Sequence, residues 1–164
     1  MSFHVNPVDL EKALNGTHPF CNGGWVTAPA DRATGNESYT YGCVTAVKAL
    51  TGAPGSNDWR RGKKVKGNSI TKGTAIATFA REKEGHYAFK EHAAIFDGYE
   101  DGLAMYDQWW SSTDEKRKRF SRRIIPFTCG GYVSNDGEAF YVIELTEDPN
   151  GDPIFCGLTS TAGG

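Results

Sequence analysis

A thiol, an imidazole and a carboxylate, at Cys43, His92 and Asp107, are the groups in this sequence best suited to breaking an acyl bond. Cys43 follows Gly42 and opens Cys43-Val44-Thr45-Ala46-Val47-Lys48-Ala49-Leu50, where Val44, Val47 and Leu50 recur at helical spacing. Thr51-Gly52-Ala53-Pro54-Gly55 closes that helix, with glycine just past its end and proline beyond. A thiol in the first turn of a helix sits near the positive end of the dipole and near unpaired backbone N–H groups. That setting favours thiolate, which is the nucleophilic form. Such a nucleophile needs a base within hydrogen-bond reach and a third group that orients the base.

His92 opens an apolar run, and period-two alternation sets it on one strand face with Ala94 and Phe96. On the next run, Leu103, Met105, Asp107 and Trp109 share a face. A carboxylate among such apolar neighbours is expensive to bury unless it is paired. A histidine from an adjoining strand would pair it, and the Glu100-Asp101-Gly102 turn between the runs makes a hairpin the expected connection. The alternatives are structural: a small buried cysteine, a hydrogen-bonded strand histidine, and an aspartate that caps a turn. His86 lies among Glu82, Lys83, Glu84 and Lys90 and reads as a loop residue, while His4 and His18 lie in polar N-terminal segments. Gln108 points to the opposite face from Asp107 and would replace it as third member only if the register slipped by one.

The elements that must position these groups predict an α+β fold, with the cysteine helix laid across an antiparallel sheet. Pro7–Leu14 reads as a short helix with Asn6 as cap, and residues 16–37 as irregular. Thr74–Phe79, His92–Asp97 and Leu103–Trp109 read as strands, joined by Arg122–Pro126 and Ala139–Leu145 as a meander. Trp59–Gly67 reads as a basic loop, and the Gly/Pro/Thr-rich tail after Glu147 as frayed. At 164 residues the chain is expected to form one domain, 1–164.

With 18 Lys and Arg against 20 Asp and Glu, the net charge of −2 gives no global field toward nucleic acid or anionic membrane. No apolar run approaches a membrane span. The N-terminus lacks the basic start and apolar stretch of a secretory signal, so synthesis in the cytoplasm is expected. The cysteines and histidines lack zinc-ligand spacing, so neither a metal nor another cofactor is expected. Apart from Cys43, the cysteines Cys21, Cys129 and Cys156 allow at most one disulfide among themselves. Arg60, Arg61, Lys63, Lys64 and Lys66 form either a cradle for substrate carboxylates or a solvated loop. The Lys116–Arg123 run reads as a solvated strand edge. Trp109 and Trp110 either wall a cleft beside Asp107 or pack in the core.

At these residues the chain resembles the NlpC/P60-like, papain-like cysteine peptidases, with a cysteine at a helix start and a histidine on a following strand. It is most similar to the type VI secretion amidase effector 2 family, through Cys43–Pro54, Trp59–Asn68, Gly73–Phe79, His92–Ile95 and Asp107–Trp109. The resemblance covers roughly residues 38–125. Two positions depart from the family pattern: Gly42, where relatives often carry an acid, and Glu91, where a glycine is usual.

The resemblance implies a papain-like fold and a cysteine amidase that cuts peptide stems of peptidoglycan at the D-alanyl–meso-diaminopimelate cross-link. Cys43 would be nucleophile, His92 base, and Asp107 the orienting carboxylate. The Cys43 backbone N–H would serve the oxyanion, with Tyr41, Trp109, Arg60 and Arg61 as candidate substrate contacts. It also implies an antibacterial toxin made in the cytoplasm and injected by a type VI secretion apparatus into a neighbour's periplasm. An immunity protein would inhibit it at home. Two other classes compete with this expectation. One is a non-catalytic module that binds peptidoglycan or protein; the other is a thiol-dependent acyltransferase or deamidase.

Overall fold

Asn6 accepts a hydrogen bond from the Asp9 backbone at 2.8 Å and starts helix α1, Pro7–Asn15, which Gly16 ends in the left-handed conformation. The computed structural model describes residues 2–149. Cys156 and most of the tail after Glu147 lie outside the described residues. The segment expected to be irregular holds a two-stranded ribbon, β1 (Cys21–Asn22) and β2 (Trp25–Val26), and two short helices, α2 (Pro29–Arg32) and α3 (Glu37–Tyr41). Helix α4 follows as Cys43–Thr51, stopped by Gly52 at φ 73°.

The remaining strands form one antiparallel sheet: β3 (Arg60–Lys64), β4 (Ala75–Arg81), β5 (Tyr87–Tyr99), β6 (Leu103–Trp109), β7 (Lys118–Ile125) and β8 (Phe140–Glu144). Its order is β3-β8-β4-β5-β6-β7. The meander holds from β4 to β7, but β8 returns to lie between β3 and β4. Phe140–Ile143 are all buried, as a strand covered on both faces demands. The basic segment expected to be a loop is the edge strand β3. Its non-alternating Arg-Arg-Gly-Lys-Lys sequence carries no period-two signal that would have revealed it.

Each face of the sheet has its own core. Ala46, Val47 and Leu50 of α4 pack over Ala75, Ala77, Ala93 and Ile95, where alanines let the helix approach the sheet closely. Ala94, Phe96, Leu103 and Met105 join Ile76, Ile125 and Phe140 on the opposite face. The β5–β6 ladder pairs Phe96 with Met105 and Ile95 with Tyr106. His92 stands four residues before Phe96, and Asp107 two after Met105. The two side chains therefore belong to one face, just past the last recorded pair of the ladder.

Candidate active site

Helix α4 presents Cys43 as its first residue, with Gly42 as an extended N-cap. A side chain at Gly42 would place its Cβ 2.4 Å from the Ser38 carbonyl oxygen, so the turn between α3 and α4 accepts only glycine without moving. Gln108, fully buried on β6, fixes the same turn. Its amide donates to the Gly42 carbonyl at 3.0 Å and the Val26 carbonyl at 2.9 Å, and its oxygen accepts from the Val26 N–H at 2.9 Å. The sulfur-bearing turn is thus tied to the sheet and to β2 by one side chain.

His92 Nε2 lies 2.7 Å from Asp107 Oδ2, and both residues are buried. That contact leaves Nδ1 as the nitrogen free to serve the Cys43 sulfur, which is near enough to help raise the imidazole's pKa. Burial opposes the imidazolium. Hydrogen bonds to Asp107 and Cys43, with their charges, outweigh it and push the His92 pKa up to about 9. The rings of Trp109 and Phe140 meet the imidazole edge-on at 6.2 and 6.3 Å and shield it from water.

Asp107 is 1% exposed, and its charge is answered from three sides. Arg123 Nε donates to Oδ2 at 2.7 Å and Lys118 Nζ to Oδ1 at 2.8 Å. Lys118 also donates to the Asp107 and Ser121 carbonyls, and Arg123 to Asn135 and the Ser134 carbonyl. Burial raises the carboxyl, but the His92 hydrogen bond and the His92, Arg123 and Lys118 charges prevail and hold it below the usual carboxylate range.

The Lys116–Arg123 run lies on and just before the edge strand β7, as expected, with Lys116, Arg119 and Arg122 exposed, but Lys118 and Arg123 turn inward onto Asp107. Besides Lys118 and Arg123, Arg122 pairs with Asp97 and Glu100, while Arg117 stacks 3.5 Å over Trp110. Sequence reasoning missed Lys118 and Arg123 as site residues. A buried aspartate on an apolar strand was itself the signal, since it demands cations from the neighbouring strand.

Cys43 opens into a cavity of about 460 Å³ lined by residues that include Asp31, Tyr39, Gly42, Lys48, Asn57, Phe89 and Glu91. A second cavity of about 560 Å³ is walled by Trp25, Tyr41, Trp110, Arg117 and Arg119, and Cys43 does not line it. Tyr41 packs there 5.3 Å from Trp25 and 4.9 Å from Trp110. Trp109 adjoins the triad, its indole N–H donating to the Lys116 carbonyl.

Of the two arginines expected to meet substrate, Arg60 braces Asn57 of the Cys43 cavity through a 3.0 Å bond to its carbonyl. Arg61 does not reach solvent: it is 3% exposed, its guanidinium 3.4 Å over the Tyr87 ring and 4.9 Å from Tyr141. Its place on a β3 position facing the core removes it from the substrate contacts. Lys64 and Lys66 both pair with Glu138. Cys21 and Cys43 are free thiols, so Cys21 takes no part in the disulfide that the cysteine count allowed. Among the described residues no helix is long and apolar enough to cross a membrane.

Three comparisons bear on this arrangement. The family model "Domesticated amidase effector 2" matches residues 19–143. A protein of that name from Ixodes scapularis is 38% identical over 109 residues, covering 63% of this chain and 70% of the relative. A solved structure titled "Type 6 secretion amidase effector 2 (Tae2)" is similar at a TM-score of 0.51 and 28% identity, covering 73% of this chain and 94% of its own.

Proposed function

Because the chain belongs to the amidase effector 2 family, we propose that it is a papain-like cysteine amidase that hydrolyses peptide stems of peptidoglycan at the D-alanyl–meso-diaminopimelate cross-link. The observation that carries this is the relay from the Cys43 thiol through the His92 imidazole to the buried Asp107. The Cys43 thiolate attacks the D-alanyl carbonyl carbon, and the oxyanion forms beside the Cys43 backbone N–H at the start of α4. His92, as imidazolium, gives its Nδ1 proton to the departing amine and leaves a thioester on Cys43. Neutral His92 then draws a proton from water, which attacks the thioester and frees the D-alanyl carboxylate. Asp107 holds the ring through Nε2 in both steps. Trp109 shelters the imidazole, Tyr41 lines the second cavity, Arg60 braces Asn57 of the Cys43 cavity, and no cofactor enters the scheme.

The biological setting is an antibacterial effector, made in the cytoplasm and delivered by a type VI apparatus to the periplasm of a target cell. A cognate immunity protein guards the producer. Digestion of a purified cross-linked muropeptide in ¹⁸O-labelled water tests the chemistry. Hydrolysis gives one label in the new D-alanyl carboxyl and a free amine on the diamino acid. A label-free isopeptide would instead mean acyl transfer, and no product at all would mean a binding module.

A further inference from the structure

Glu91 is a glutamate in a backbone conformation made for glycine. Its φ is 84°, in the left-handed region that side-chain-bearing residues seldom take, and it precedes His92 in a bulge. The Thr78 hydroxyl locks that bulge by donating to the Lys90 carbonyl and accepting from the His92 N–H at 3.0 Å. A glycine would hold the bulge more easily, so the fold gives no reason for a long anionic side chain there. That side chain is exposed and lines the Cys43 cavity. The groups that set the His92 charge are Asp107 and Cys43, and Glu91 is not among them.

The same cavity carries Lys48, on α4 just over one turn beyond Cys43. Asp31 Oδ1 holds the Lys48 ammonium at 3.1 Å. Among the described residues the second, buried Asp31 oxygen has no hydrogen-bond partner, which leaves it an acceptor for a further donor. Lys48 keeps 30% of its side chain exposed and has donor capacity to spare. One cavity beside the nucleophile thus presents an exposed carboxylate and a braced, half-open ammonium.

Resting on the amidase reading, we infer that Glu91 and the Asp31–Lys48 pair form an ionic clamp for a stem side chain that ends in both an ammonium and a carboxylate. Glu91 takes the ammonium and Lys48 the carboxylate. The free end of an unlinked diamino-acid side chain, one residue before the scissile D-alanyl carbonyl, has this chemistry. The clamp selects stems bearing that zwitterion over stems where the amine is blocked.

The test compares cross-linked stem peptides whose free amine is intact or acetylated, cleaved by wild type, Glu91→Gln, Glu91→Gly and Glu91→Asp. Wild type is expected to prefer the intact amine at least about tenfold in kcat/KM, the worth of one charge-assisted contact. Glu91→Gln and Glu91→Gly bring the ratio near one, through KM rather than kcat, and Glu91→Asp restores part of it. Glu91→Gly suits the φ and keeps the fold, so its loss of preference cannot be ascribed to unfolding. Equal preference in wild type and Glu91→Gln overturns the clamp. Binding of both peptides to Cys43→Ala, read by calorimetry, tests the clamp independently of turnover. A wild type that cleaves neither peptide refutes the amidase, while the calorimetric ratio still decides the clamp.

Discussion

Replacing Asp107 with asparagine changes one atom, yet it should disturb both stability and chemistry. All three side-chain partners of the carboxylate are donors: His92 and Arg123 on Oδ2, Lys118 on Oδ1. Asparagine keeps one acceptor oxygen and turns an N–H toward either Lys118 or the His92–Arg123 side. Both cations then lose their counter-charge in a site where Asp107 is 1% exposed. Breaking a buried ion pair on one side costs about 3–5 kcal/mol. For a chain of this size, that lowers Tm by roughly 6–20 °C.

The chemistry moves separately. Raising His92 from the ordinary histidine value of 6.5 to about 9 corresponds to about 3 kcal/mol favouring the imidazolium. Burial stays in the variant while the Asp107 contribution goes. The His92 titration should therefore move acid by about 1–3 pH units. NMR of the His92 imidazole from pH 5 to 10 reads that titration directly. Adding Arg123→Met removes one orphaned cation and should recover part of the lost Tm without restoring the His92 titration. An Asp107→Asn protein with wild-type Tm and an unmoved His92 titration would refute the reasoning.

Gln108→Leu keeps volume but strands the Val26 N–H and the Val26 and Gly42 carbonyls, each a buried group costing about 1–3 kcal/mol when unpaired. Denaturant unfolding should show a loss of about 3 kcal/mol or more, and a loss under about 1 kcal/mol would contradict the clamp on the nucleophile turn. Gly42→Ala forces the turn away from the Ser38 carbonyl. It should lower kcat by at least about tenfold with little change in KM, and unchanged kcat would show that the turn moves freely. The raised His92 value makes its stabilising contribution complete below pH 6.5 and lost as pH rises through about 9. Thermal melts across pH 6–10 should fall over that window in wild type and fall less in Asp107→Asn.

The proposed site could be read because each of its three residues breaks a local rule: a cysteine at a helix start, and a histidine and an aspartate on apolar strand faces. Period-two alternation placed His92 with Phe96 and Asp107 with Met105, and in the structure the two side chains meet at 2.7 Å. What stayed hidden depends on long-range pairing. The insertion of β8 between β3 and β4 leaves no local trace, and β3 lacks alternation. The role of Gln108 was inaccessible because its partners Val26 and Gly42 lie 82 and 66 residues away. The φ of 84° at Glu91 is a conformation that composition cannot announce.

Everything rests on the sulfur of Cys43 carrying the acyl group. The most direct measurement is mass analysis of muropeptides released from purified sacculi by wild type and by Cys43→Ala protein of equal thermal stability. The account expects cross-linked dimers to vanish under the wild type and to persist untouched with the variant. Continued cleavage by Cys43→Ala would contradict it.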